Sequence, residues 1–170
     1  MYSRLSNRSH SKRAKAEHGF SLVELLIVVT VILIIAAIAI PNYITSKLRA
    51  NESGAIQNLR TITTANVVYS TTYQVGYSPD LPTLGGNSTA PTQTAAGLID
   101  SVLASGNKSG YSYSYSVVST DSNNQVTGYA LFANPQIFGT TGTRYFYTDE
   151  TAVIRYNGAT QAGPSDPPIS

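Results

Sequence analysis

The chain has 170 residues, one domain's worth, with no Cys, no Trp and two His, His10 and His18, both in the first eighteen positions. That excludes disulfides, thiolate catalysis, iron–sulfur clusters and Cys-based zinc sites, and it leaves residues 20–170 without imidazole chemistry. Charge is sparse and uneven. The first 19 residues hold Arg4, Arg8, Lys12, Arg13 and Lys15 against Glu17, whereas residues 20–170 hold six basic and eight acidic side chains, a net of −2. The basic pI of about 8.8 therefore belongs to the N-terminal stretch, and the body has no charge-built surface for nucleic acid.

After the basic stretch, Phe20 to Ile40 is 21 residues with one charge, Glu24. As a helix this run would be roughly 31 Å long, enough to cross the hydrocarbon core of a bilayer. Basic residues before it and few after it predict a cytoplasmic N-terminus and an exported body. An ordinary signal peptide cut near Ala37-Ile38-Ala39 would share this pattern. Glu24 argues against it, because a carboxylate inside an apolar segment costs about 2.5–3.5 kcal/mol on insertion and calls for a partner. A new α-amino group, made by cutting just before Phe20, is the nearest candidate.

The octapeptide Gly19-Phe20-Ser21-Leu22-Val23-Glu24-Leu25-Leu26, set between a basic leader and an unbroken apolar run, resembles the cleavage and methylation motif of type IV prepilins and type II secretion pseudopilins. The resemblance covers about residues 19–43. It implies that a prepilin peptidase cuts after Gly19 and that Phe20 becomes the N-methylated first residue. It implies too that the Glu24 carboxylate pairs with the N-terminal amine of a neighbouring subunit, fixing axial register. Pro41 falls where pilins carry a proline that kinks or locally melts the helix. Expected partners are other pilin subunits in a homopolymer, the peptidase, an inner-membrane assembly platform and, before assembly, the lipid bilayer. The implied location is the inner membrane as a single-pass precursor, then a filament at the cell surface. The alternative within the class is a pseudopilin of a type II secretion system. Outside it stands a freely secreted binding domain with an ordinary signal peptide.

Three parts are expected: a basic leader over residues 1–19, a long helix over 20–73 with 20–40 as membrane span and filament core, and an α+β globular domain over 74–170. Ile44, Leu48, Ala55, Leu59, Ile62, Tyr69 and Tyr73 recur at helical spacings and predict an apolar stripe. Gly54, like Pro41, is a weak point of that helix. Residues 75–95, rich in Gly, Pro, Ser and Thr, predict a loop, and Ala95 to Ser105 a short helix closed by Gly106. Tyr111, Tyr113 and Tyr115 alternate with serines as a strand, Asp121 to Gln125 is a turn, and Val126 to Ala133 returns. Thr143 to Tyr147 and Ala152 to Tyr156 make a last hairpin, with an exposed tail at Gly163 to Pro168. The fold class is α+β and pilin-like: the helix stripe on an antiparallel sheet of about four strands.

No catalytic arrangement is legible. Lys47 and Lys108 sit in no Ser–Lys motif, and Asp149 and Glu150, being adjacent, would face opposite sides of a strand. The function class is structural rather than enzymatic, with no cofactor. Calcium is the one ligand the resemblance raises, since major pseudopilins without disulfides look to be stabilised by it. Oxygen ligands would come from Asp121, Asn123 and Asn124, or from Asp149, Glu150 and backbone carbonyls. The tyrosines, without a basic groove, give no nucleic-acid partner.

Overall fold

The computed structural model describes residues 19–86 and 89–169. The basic leader, apart from Gly19, lies outside the described residues. The chain divides into two compact units, one ending at Ile40 and one running from Pro41 to Ser170.

Helix α1, Leu22–Tyr73, belongs to both units. Within the second unit the centre of its buried face runs through 52, 55, 59, 62, 66 and 69, alternating steps of three and four, with Asn58, Thr63 and Ala65 buried at its flanks. Ile44, expected in that stripe, is exposed. The stripe is half polar: Glu52, Asn58 and Asn66 are buried beside Ala55, Leu59, Ile62 and Tyr69. Gly54 serves close packing, since a Cβ there would come within 3.2 Å of the Ser109 side chain.

The sheet has five strands rather than four: β1 Asn107–Lys108, β2 Tyr111–Thr120, β3 Val126–Pro135, β4 Tyr145–Asp149 and β5 Arg155–Asn157. They form an antiparallel meander in sequence order. The two-residue β1 was hidden in a Gly-flanked stretch too short to show a period. Tyr111, Tyr113, Tyr129, Leu131 and Phe146 share one buried cluster with the α1 stripe, so the helix packs on the sheet as the resemblance implied. The period-two reading of β2 is right for its first half; further on, Val117 and Val118 are exposed and the register shifts between Val117 and Thr120.

Three local expectations need correction. The loop over 75–95 contains a helical turn, α2 Leu81–Leu84, capped by Asp80, whose Oδ1 accepts the Thr83 amide at 2.8 Å. The helix predicted over 95–105 shrinks to α3, Ser101–Ala104, capped by Asp100. Gly97 turns left-handed (φ 63), and the amides of Ala96, Gly97, Leu98 and Ile99 bond carbonyls of Thr83, Gly85 and Leu84 instead. Long-range pairing has overridden helix periodicity there. The last hairpin forms, but both strands begin two or three residues later than predicted, because Asp149 organises the turn by accepting the amide and hydroxyl of Thr151.

The expected tail is tethered. The Ile169 amide donates to the Ile154 carbonyl (2.9 Å) and Tyr156 to Pro167 (3.1 Å). Asp166 holds the segment by accepting from Asn157 and from the Gly163 amide, while its own carbonyl accepts from Arg155. Residues 166–169 thereby cover the β5 edge, which would otherwise offer unpaired backbone groups.

Candidate functional site: the N-terminal segment

Within the first unit α1 begins at Leu22. Ser21 is its N-cap: its Oγ accepts from the Val23 amide (3.3 Å), and Glu24 Oε2 accepts from the Ser21 amide (2.8 Å). Ser21-x-x-Glu24 is thus a capping box, satisfying donors that the first helical turn leaves without partners. The sequence reading took Glu24 as a charge in lipid that pairs with a neighbour's amine; the Ser-x-x-Glu spacing was the signal it passed over. Glu24 Oε1 makes no hydrogen bond among the described residues. One carboxylate oxygen orders the helix start and the other is uncommitted.

From Phe20 to Ile40 the apolar side chains cover nothing of their own chain. Phe20 and Leu22 are about four-fifths exposed, and Leu25, Ile27, Ile34 and Ile38 lie near 60%. This stretch is long and apolar enough to cross a membrane, by length and composition. Its one interior hydroxyl, Thr30, returns its hydrogen bond to the Leu26 carbonyl at 2.8 Å, which leaves Glu24 as the polar side chain of this stretch that calls for a partner. Gly19 and Phe20 precede the helix in irregular backbone, and Gly19 has open space around its Cα. Pro41 lies inside α1 and the helix is not melted there. Proline lacks an amide, so the Ala37 carbonyl forgoes its helical bond, while the Thr45 hydroxyl donates to the Pro41 carbonyl at 3.1 Å.

The calcium candidates are not brought together. Asp121 Oδ1 accepts the amides of Asn123 and Gln125 within its own turn, and Asp149 is engaged by Thr151 and Tyr147. Among the described residues no three His, Cys, Asp or Glu side chains group in a way that could hold a metal ion.

The charged site that sequence reasoning missed is Glu52. It is 4% exposed on α1 and accepts from the Thr143 amide (2.9 Å), the Thr143 hydroxyl (2.8 Å) and the Arg144 guanidinium (Nε 2.8 Å, Nη2 2.7 Å). Burial pushes its pKa up, but the Thr143 bonds and Arg144 outweigh this and hold it below the usual carboxylate value. Nothing in the spacing of a single Glu on an amphipathic helix distinguishes it from its solvated neighbours.

Comparison with known proteins singles out the same segment. The family described as "Prokaryotic N-terminal methylation motif" matches residues 14–40. The type IV major pilin protein PilA of Myxococcus xanthus is 53% identical over 47 residues. That stretch is 28% of this chain and 21% of the relative, so the likeness is confined to one end. No solved structure matches the chain. The chain carries a prepilin-type methylation motif on an apolar helix, followed by an α+β body of pilin-like arrangement.

Proposed function

We propose that the protein is a structural subunit of a type IV pilus-like extracellular filament. It is made as an inner-membrane prepilin with its N-terminus in the cytoplasm, cleaved after Gly19, N-methylated on Phe20 and polymerised through its apolar helix. The carrying observation is that the capped, methylation-motif helix leaves every large apolar side chain from Phe20 to Ile40 uncovered by its own chain. Such a surface is stable in lipid or against copies of itself, and poorly stable in water. Methylation keeps the Phe20 amine protonated. A neighbouring subunit's amine reaching Glu24 Oε1 would neutralise the one charge that the apolar core carries, in a single axial register. Prepilin peptidase and an inner-membrane assembly platform are the partners this route requires.

The similarity to a major pilin favours the pilus over a type II secretion pseudopilus. Intact-mass and N-terminal analysis of the protein from the cell envelope tests the reading. The expected chain begins at N-methylated Phe20; a chain beginning at Ile40 would overturn it in favour of a secreted domain. Loss of surface filaments on deletion, with protein secretion intact, separates pilus from pseudopilus.

A further inference from the structure

Near the C-terminal end of α1, a cleft of about 380 Å³ opens between the β2–β3 turn and the loops around 75–79 and 93–94. Its volume falls in the range of about 300–1,000 Å³ typical of small-molecule sites. The floor is aromatic and apolar: Tyr69 and Val126 are buried, Val75 and Tyr77 half-buried. The rim carries the amides of Gln93, Asn123, Asn124 and Gln125, and no side chain lining the cleft is charged.

The backbone of this cleft is fixed, and of its rim amides only Gln125 is engaged, donating to the Gln74 carbonyl at 3.5 Å among the described residues. The Tyr69 hydroxyl donates to the Gln93 carbonyl at 2.9 Å, Tyr77 donates its amide to Val126 at 2.8 Å, and Asp121 pins the amides of Asn123 and Gln125. Gln74 and Asn124 are held at positive φ (55 and 62) beside it. A Cβ at Gly76, itself at φ 80, would collide with the Val126 carbonyl, so only glycine lets the floor close. Yet the side chains of Gln93, Asn123 and Asn124 make no hydrogen bond among the described residues.

The geometry points to a binding site for an uncharged saccharide, one pyranose unit seated on the half-buried Tyr77 ring with its hydroxyls facing Gln93, Asn123 and Asn124. Three alternatives fit the lining less well. An anion would find no Lys or Arg. A wholly apolar ligand would strip water from several amides and give them nothing in return. An extended peptide would need an open strand edge, and the Val126 backbone is already bridged to Gly76 and Tyr77. A pyranose offers an apolar face for an aromatic ring and a ring of hydroxyls for amides. The site would give the subunit a second function, contact with neutral surface glycans. It uses none of the residues of the assembly reading.

The test is a titration of the ¹⁵N-labelled full chain in dodecylphosphocholine micelles, whose headgroup is not a sugar. The probes are the methyl glycosides of glucose, galactose, mannose and N-acetylglucosamine, with methyl glucuronoside as the charged control. At least one neutral glycoside is expected to shift the amides of Tyr77, Gln93 and Asn124 saturably, with a dissociation constant of about millimolar order. Gln93→Ala and Asn123→Ala, at exposed side chains that bond nothing internally, should each weaken it about 3–10-fold. The site is overturned if no neutral glycoside saturates by about 50 mM, if the shifts map elsewhere, if both variants bind like the parent, or if the glucuronoside binds tighter. Any of these leaves the processing and assembly of the chain unaffected.

Discussion

The carboxylate of Glu52 and the guanidinium of Arg144 meet at 2.7 Å although 92 residues separate them, tying α1 to the loop that enters β4. Arg144 also lies over the rings of Phe146 (5.5 Å) and Tyr156 (5.6 Å), so the pair clamps helix and sheet together. Only Glu52 is buried; Arg144 keeps 39% of its side chain exposed. Replacing Glu52 with Ala leaves the Thr143 amide and hydroxyl without an acceptor, and should cost about 2–4 kcal/mol. Glu52→Gln keeps an acceptor but loses the charge-assisted bonds, and should cost about half as much. Equilibrium unfolding followed by tyrosine circular dichroism measures both; a Glu52→Gln variant as stable as the parent would mean that charge contributes nothing.

The same cluster gives the stability an acid limb. Glu52 titrates below its unfolded value, so its stabilisation is complete above about pH 5 and disappears as pH falls through the depressed native pKa. Asp100, lowered by its bond to Lys108 and by the Leu103 amide it caps, acts in the same direction. Unfolding free energy measured from about pH 6 to 3 should fall more steeply for the parent than for Glu52→Gln. Parallel curves would refute the assignment.

At the other extreme the tyrosine core titrates late. Burial pushes Tyr113 up to about 12, against the bond from Asn58 that favours its phenolate. Tyr129 and Tyr147 also rise to about 12, with burial again the main cause, and Tyr111 and Tyr115 rise as well. A raised native pKa stabilises the fold below the unfolded value of about 10 and loses that contribution as pH climbs through the native value. Stability should therefore hold to about pH 9 and decline above 10, with these phenols ionising well above the usual tyrosine value or on unfolding. Phenolate absorbance rising fully by about pH 11 without loss of structure would contradict the buried core.

Gly142 shows how closely that core is fitted. A Cβ at this position would fall on the Tyr111 hydroxyl, which donates to the Arg144 carbonyl at 2.9 Å. Gly142→Ala should therefore displace a fully buried ring and weaken the loop that carries Arg144, at a cost of about 2–4 kcal/mol. Tyr111→Phe, which deletes the hydroxyl, should recover part of the loss in the double variant. A double variant as unstable as the sum of the singles would place the damage elsewhere.

What could be foreseen from the sequence was whatever repeats with a period. The apolar run from Phe20 to Ile40, the helical stripe through Leu59 and Ile62, and the tyrosine alternation of β2 each announce an element over many residues. The motif from Gly19 to Leu26 was legible because its residue types and their setting are both specific. Glu52, Asn58 and Asn66 were not, since a buried polar residue is identified by a partner outside its own helix, here Arg144, Tyr113 and Ser78. The tethered C-terminus failed for a related reason: Asp166 among prolines reads as a solvated tail until Arg155 and Asn157 are placed beside it. Helix α3 was overextended because periodicity carries no information about the carbonyls of Thr83, Leu84 and Gly85 that take the amides from Ala96 to Ile99.

The two oxygens of Glu24 allow its cap role and its proposed assembly role to be separated. As a cap residue it accepts from Ser21, and glutamine fulfils that role nearly as well. As the charge proposed to pair with a neighbour's amine, it would have no neutral substitute. Glu24→Gln should therefore leave the chain helical, membrane-inserted and processed, while incorporation into filaments falls to the level of Glu24→Ala. Ser21→Ala removes only the bond to the Val23 amide, worth about 1 kcal/mol of helix-start stability, and should assemble. Sheared filament yield against membrane-retained subunit, compared across the three variants, decides it. If Glu24→Gln assembles like the parent and Ser21→Ala does not, the carboxylate serves the helix start and register is set by packing alone.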